Sequence, residues 1–415
     1  MANWISMADA AALPRPGARV YLGGATAEPT ALLDAVDPGQ WRDVILTGSF
    51  LPGINDRDYR QFGRVETIML TAGLRGQSNA AQVAQLPLSY TGYRRYLQER
   101  GRVEIAYFQV SPPENGSVSL GLAVDFAPTV ARSGARLIGI VNPLMPVPKD
   151  GIALPIDLFE ALVDHPAPLA EYDAGQTDRT LAEIGRTVAG LIEDGDTVEL
   201  GIGRLQVAVL NALQDHRRLA FHAGMIAGPI APLLANGTFD QGVTTGVATG
   251  DRAFYDLAAA HDHVRFRDVE TTHGIRSLSQ IPNFVAVNSA IEIDLFGQTN
   301  AETMGGRPFA GQGGLPDFVR GARASHGGRS IIALPATAKN GTVSRIRPAF
   351  PGGIPITISR AEAELFVTEY GVADLRGATV EQRAERLIGV AAPQFRNYLS
   401  EAWEKIQAGY KMGDG

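Results

Sequence analysis

Short apolar runs alternate along the chain with longer segments whose apolar residues recur at helical spacing. Arg19-Val20-Tyr21-Leu22 reads as a strand, followed by Gly23-Gly24 and a helix over 28–36. The runs over 103–110 and 135–141 are rich in β-branched and aromatic residues and predict two further strands. Later in the chain, 180–192 reads as an amphipathic helix and 284–295 as a strand pair or a strand with a turn. The runs over 330–334 and 364–368 read as strands and 380–390 as a helix. Strands alternating with helices predict an α/β fold with a mainly parallel sheet covered by helices.

The pattern repeats. Gly17-Ala18-Arg19-Val20-Tyr21-Leu22-Gly23-Gly24 precedes a helix containing Ala31-Leu32-Leu33. Gly195-Asp196-Thr197-Val198-Glu199-Leu200-Gly201-Ile202, offset by 178 positions, precedes a helix containing Val209-Leu210. Two similar α/β halves are expected, 1–178 and 179–415, joined by the Pro-, Gly- and acid-rich segment 165–178.

Composition narrows the chemistry. A chain of 415 residues is too long for one core, which agrees with two domains. The 47 glycines cluster between apolar runs, as they do at tight turns and where a ligand approaches the backbone. No cysteine is present, which excludes disulfides, thiolate metal sites, iron–sulfur clusters and a thiol nucleophile. A net charge of −7 argues against nucleic-acid binding. No apolar run is long enough to span a membrane, and the first residues lack a basic segment followed by an apolar one, so a cytoplasmic protein is expected.

Several constellations are candidates for chemistry. Leu200-Gly201-Ile202-Gly203-Arg204-Leu205 places glycines between a strand and a helix, where backbone N–H groups can meet a phosphate. Gln206 stands where a dinucleotide fingerprint needs a third glycine, so nicotinamide binding is disfavoured. Gly305-Gly306 and Gly311-Gln312-Gly313-Gly314 could build an oxyanion hole or form a surface loop. There is no Gly-x-Ser-x-Gly elbow and no Walker loop. His261-Asp262-His263 with His273 is a conceivable metal set but reads better as a solvated helix end, so no metal is expected. The polar residues Asn288, Glu292, Asp294, Gln298 and Asn300 in an apolar stretch either line a site or form a paired structural network.

The run Gln109-Val110-Ser111-Pro112-Pro113-Glu114-Asn115-Gly116-Ser117-Val118-Ser119-Leu120-Gly121 resembles a signature of the acetyl-CoA hydrolase/CoA-transferase family, in the branch of 4-hydroxybutyrate CoA-transferases. Val141-Asn142 with Met145-Pro146, Gly311-Gln312-Gly313-Gly314 with Asp317-Phe318, Thr337-Ala338-Lys339 and Val367-Thr368-Glu369-Tyr370-Gly371 extend the resemblance over roughly 15–400. It implies two similar CoA-transferase-type α/β domains with mainly parallel open sheets, an active site between them, and a homodimer or higher homo-oligomer. It also implies coenzyme A as co-substrate, with an acyl-CoA and a carboxylic acid acceptor as partners. CoA would be handled by Gly201, Ile202, Gly203, Arg204, Leu205, Asn288, Gly311, Gly314 and Lys339, and the oxyanion by backbone donors at Gln312 and Gly313.

In the family a glutamate attacks the thioester and becomes a glutamyl-CoA thioester. The matching stretch here is Phe221-His222-Ala223-Gly224-Met225, with Gly224 at the glutamate position. Glycine has no nucleophile. The resemblance therefore leaves a CoA-transferase or acyl-CoA hydrolase using a replacement carboxylate, from among Glu28, Glu114, Glu292 and Glu302. The alternatives are an enzyme working without a glutamyl intermediate, as a decarboxylase, lyase, isomerase or direct hydrolase, and a CoA-binding paralogue without catalysis. His222 is a candidate acid or base. The acyl pocket is expected near Gly224 and the segment 70–86.

Overall fold

In the computed structural model, which describes residues 3–37, 39–75 and 81–411, two eight-stranded sheets form the framework. The first takes β1 (Asn3–Trp4), β2 (Arg19–Leu22), β3 (Ile45–Gly48), β4 (Arg64–Thr67), β5 (Val83–Gln85), β6 (Ile105–Val110), β7 (Arg136–Val141) and β8 (Phe159–Asp164). Its order is β1-β8-β7-β6-β2-β3-β4-β5, and every neighbouring pair is parallel. The second takes β9 (Thr197–Leu200), β10 (Ala220–His222), β11 (Val243–Thr245), β12 (Val264–Phe266), β13 (Phe284–Ser289), β14 (Arg329–Ala333), β15 (Leu365–Thr368) and β16 (Gly371–Asp374). Its order is β12-β11-β10-β9-β13-β14-β15-β16, parallel except for the hairpin β15-β16.

The expected strands are present. β2 and β9, the two copies of the repeated sequence, each lie inside their sheet rather than at an edge. The helix expected over 28–36 is shorter, Thr30–Ala35. Residues Ala25–Ala27 form a single tight turn instead, and Glu28 is extended, as the residue before Pro29 prefers to be. The stretch 284–295 resolves into β13 and a short strand, Glu292–Asp294. Residues 165–178 hold no helix or strand. They are nonetheless tied down, since Tyr172 N donates to Gly250 O at 2.9 Å.

Five helices matter for the site: α1 (Tyr90–Glu99), α2 (Arg179–Ala189), α3 (Arg204–Ala212), α4 (Val269–His273) and α5 (Leu315–Ala324). α2 packs along α3 beside the second sheet, burying Leu181, Ile184 and Val188. One apolar cluster crosses between the halves, joining Tyr90, Tyr93 and Phe126 to Leu200, Phe221 and Val285. The sheets are thus fixed to each other by the hydrophobic effect rather than hinged.

A polar clamp orients that junction. Asp317, in the first turn of α5, accepts from Ser89 Oγ (2.9 Å), Thr91 Oγ1 (2.6 Å) and Thr91 N (3.1 Å). Ser89 is the N-cap of α1, so one carboxyl group sits at the positive ends of two helices. Burial raises its pKa, and the bonds to Thr91 and Ser89 oppose that rise. Asp317→Ala leaves Thr91 N–H without its acceptor and takes from the Ser89 and Thr91 hydroxyls their shortest bonds, in a half-buried seam. It is expected to cost about 1–3 kcal/mol of stability, read from the urea midpoint, with Asp317→Asn losing less.

Candidate active site

A cavity of about 310 Å³ opens where the two halves meet, at the carboxyl ends of β9 and β13. This is where open parallel sheets bind ligands. Leu51, Pro52, Met69 and Tyr90 line it from the first half. Leu200, Gly201, Ile202, Gly224, Met225, Asn288, Gly313, Gly314, Leu315 and Phe318 line it from the second, together with Glu199 and His273. Tyr172, from the connecting segment, completes the wall.

The glycine turn after β9 leads directly into α3. Gly203 is the N-cap, at φ 113°, a conformation L-residues rarely adopt, and this lets the chain reverse into the helix. Gly201 and Ile202 reach the cavity, whereas Gly203, Arg204 and Leu205 do not line it. The second glycine cluster divides into two. Gly305-Gly306 is the tip of a hairpin between Thr303–Met304 and Arg307–Pro308. Gly313 and Gly314 sit at the cavity, at the positive end of α5, where Leu315 N donates to Gln312 O (3.3 Å) and Pro316 carries no N–H. The intervening stretch is held against the first sheet, with Gln85 Nε2 donating to Ala310 O (2.6 Å) and Arg75 over the Phe309 ring (3.9 Å). Gln312 and Gly311 lie beside the cavity without lining it, and any side chain on Gly311 would strike Ile68 O.

Gly224 follows β10, and its carbonyl accepts from Gly246 N and Val247 N (3.0 and 3.1 Å). A Cβ placed on Gly224 would lie 2.7 Å from Cε1 and 2.9 Å from Nε2 of His273; one on Gly314 would lie 2.6 Å from the same Nε2. The imidazole therefore occupies the space that a side chain at either position would need. His273, the last residue of α4, is stacked on Tyr90 (ring centroids 4.6 Å, interplanar angle 18°) and tilted against Phe318 (4.5 Å). Its Nδ1 lies 2.8 Å from Thr272 Oγ1, whose own proton goes to Asp268 O at 3.2 Å. With the hydroxyl proton on Asp268 O, the ring proton sits on Nδ1 and Nε2 is an acceptor at the cavity. Burial, reinforced by neighbouring His222, lowers the His273 pKa to about 3, so the ring is neutral at ordinary pH.

Glu199 is the carboxyl group of the cavity. It sits near the end of β9, 1% exposed, and accepts from Asn288 Nδ2 at 2.7 Å. Burial pushes its pKa up to about 8, against the pull of that bond, so it is largely protonated at neutral pH. A second buried acid, Asp125, lies nearby under Gly246, its Oδ1 unpartnered and its pKa raised by burial to about 7.

The other candidates from sequence lie elsewhere. His222 does not line the cavity; its Nε2 meets Thr272 O at 3.2 Å and its ring stands edge-on to Phe284. Lys339 sits in a hairpin outside the cavity wall. None of the four replacement glutamates reaches the site. Glu28 is held by Tyr59 and Asn55, Glu292 by Asn300 and Arg347, and Glu302 by Thr357, while Glu114 is exposed. Of the polar run near β13, Asn288 faces the cavity while Asp294, Gln298 and Asn300 pair among themselves and with neighbours. Residues 76–80 of the expected acyl segment lie outside the described residues. Among the described residues no group of three His, Asp or Glu could hold a metal ion, and no helix is long and apolar enough to cross a membrane.

A model of the acetyl-CoA hydrolase/transferase C-terminal domain matches residues 250–403. The 4-hydroxybutyrate coenzyme A transferase of Clostridium kluyveri is 31% identical over 402 residues, covering 93% of this chain and 94% of that protein. The chain belongs to the acetyl-CoA hydrolase/CoA-transferase family. It is an acyl-CoA-processing enzyme of that family, and its fold agrees. RipA from Yersinia pestis superposes with a TM-score of 0.90 at 30% identity over 98% of both chains. A 4-hydroxybutyrate CoA-transferase from Porphyromonas gingivalis gives 0.81 at 28% identity over 97% of both.

Sequence reading did not assign a role in the cavity to two groups that line it, Glu199 and His273. Glu199 had a signal, because an acid inside an apolar strand of a two-sided parallel sheet has to be explained. His273 had none beyond being a histidine before a glycine, because its role depends on contacts with residues about 180 positions before and 45 after it.

Two outcomes follow from this geometry. Gly224→Ala forces a Cβ against a ring that cannot retreat, and is expected to lower stability by about 1–3 kcal/mol in denaturant titration, a loss that His273→Ala added to it relieves. The second concerns pH. A buried acid with a raised pKa holds its proton in the folded state, so stability falls as pH rises from its unfolded pKa near 4 to its folded value. The lowered histidines act only below about 6.5. Between about pH 6.5 and 8, where Glu199 and Asp125 titrate, the melting temperature should decline, and Glu199→Gln should flatten that decline. An unchanged slope in the variant would contradict the assignment.

Proposed function

We propose that this protein is an acyl-CoA hydrolase in which water, not a protein carboxylate, attacks the thioester. The observation that carries the reading is the His273 ring lying where a side chain at position 224 would have to go. A glutamyl-CoA intermediate has neither a nucleophile at 224 nor room for one. The remaining parts favour acyl chemistry. The N–H of Gly313 and the N-terminus of α5 suit the developing oxyanion, and such donors contribute several kcal/mol when preorganised. The lining contains no lysine or arginine among the described residues, so an uncharged, short acyl group fits better than a dicarboxylic one. Coenzyme A would extend past Gly201 and Ile202 toward Lys339. The division at 178/179 and assembly as a homodimer or higher homo-oligomer belong to the same reading, the first supported by the way the strands of each sheet fall on either side of that boundary.

The protein incubated with butyryl-CoA in ¹⁸O-water should release butyrate carrying one ¹⁸O atom and show no CoA or acyl adduct by intact mass. Added acetate should not collect the CoA. A CoA adduct trapped on a glutamate, or formation of acetyl-CoA from acetate, would restore the transferase; binding of butyryl-CoA without turnover would make the protein a CoA-binding paralogue.

A further inference from the structure

Two titratable groups that line the cavity apart from position 224 are His273 and Glu199. His273 presents Nε2 between Gly224 and Gly314, beside the N-terminus of α5. Its other nitrogen is tied to Thr272, so the ring's orientation is set before any ligand arrives. Tyr90 and Phe318 hold the ring by its faces. Glu199 lines the same cavity, and its carboxyl group accepts from Asn288 Nδ2. A neutral imidazole and a neutral carboxyl lining one cavity, each with a fixed partner behind it, form an acid/base pair rather than an ion pair.

We infer that His273 is the general base and Glu199 the general acid of thioester hydrolysis at this site. The inference rests on the direct-water reading above. His273 Nε2 takes a proton from water as the water oxygen bonds to the thioester carbon, and the carbonyl oxygen becomes an oxyanion held by Gly313 N–H and the end of α5. The C–S bond then breaks. Its electron pair leaves on sulfur, which takes the carboxyl proton of Glu199. The imidazolium proton returns to Glu199 through solvent, and the sum is acyl-CoA plus water giving a carboxylic acid and CoA thiol.

Because the chain has no cysteine, a thiol reagent reads only released CoA. With butyryl-CoA, His273→Ala should lower kcat by about 10²–10⁴-fold while KM changes by less than about fivefold, and added imidazole should restore at least about tenfold. Glu199→Gln, which keeps the acceptor for Asn288, should lower kcat with KM unchanged. His273→Gln, which preserves most of the packing volume, covers the case in which His273→Ala does not fold; it should fold and lose kcat likewise. Either His273 variant retaining kcat within about threefold of the wild type overturns the inference, as does a folded His273→Ala that imidazole does not rescue. These failures leave the water-attack reading standing if ¹⁸O still enters the product. A wild-type protein that releases no thiol overturns both.

Discussion

The imidazole of His273 is constrained from every direction that matters. Tyr90 stacks on it, Phe318 tilts against it, Thr272 holds Nδ1, and the Cα atoms of Gly224 and Gly314 leave room for the ring only because they carry no side chain. These neighbours come from α1, α4, α5 and the turn after β10, so the position of one ring records how those elements are placed. Close-packed interiors are not continuously deformable. A residue added at 224 cannot be absorbed by a small shift, and the glycine there is as much a packing requirement as a missing nucleophile.

Burial gives the site its electrostatic character. Glu199, Asp125, His222 and His273 have their pKa values moved mainly by desolvation, and each in the direction that removes charge. A cavity lined by neutral polar groups costs less to desolvate than one holding ions. The few oriented dipoles, at Gly313 and the start of α5, then act on whatever charge the substrate develops, with little competing field. Asp317 keeps the end of α5 in place from behind, and so acts on the site without entering it.

The α/β architecture was legible because parallel strands buried on both faces read as apolar runs with little ambiguity, and because the repeat at β2 and β9 marks two equivalent strand–turn–helix units. Gly201, Ile202, Gly224, Asn288, Gly313 and Gly314 were singled out through motifs in the sequence, and all six line the cavity. The helix over 28–36 came out short because Pro29 holds Glu28 in an extended conformation, a local rule outweighed in the reading by apolar spacing. His222 was preferred over His273 because it lay in the motif. Both are buried and only 51 positions apart, yet which one meets the cavity depends on how α4 crosses the end of β10. The four surrogate glutamates were plausible by composition, and each proved to be committed to a hydrogen-bonded or exposed position of its own.

The apolar cluster that runs from Tyr93 and Phe126 into Val285 has a consequence for how the chain is made. During synthesis the first sheet emerges complete once residue 164 is available, but the face carrying Tyr90 and Phe126 stays uncovered until β9, β10 and β13 have been added. For more than a hundred residues of elongation the nascent protein therefore carries an exposed aromatic surface. The candidate cleft forms later still, completed when α5 brings Phe318 against the His273 ring stacked on Tyr90.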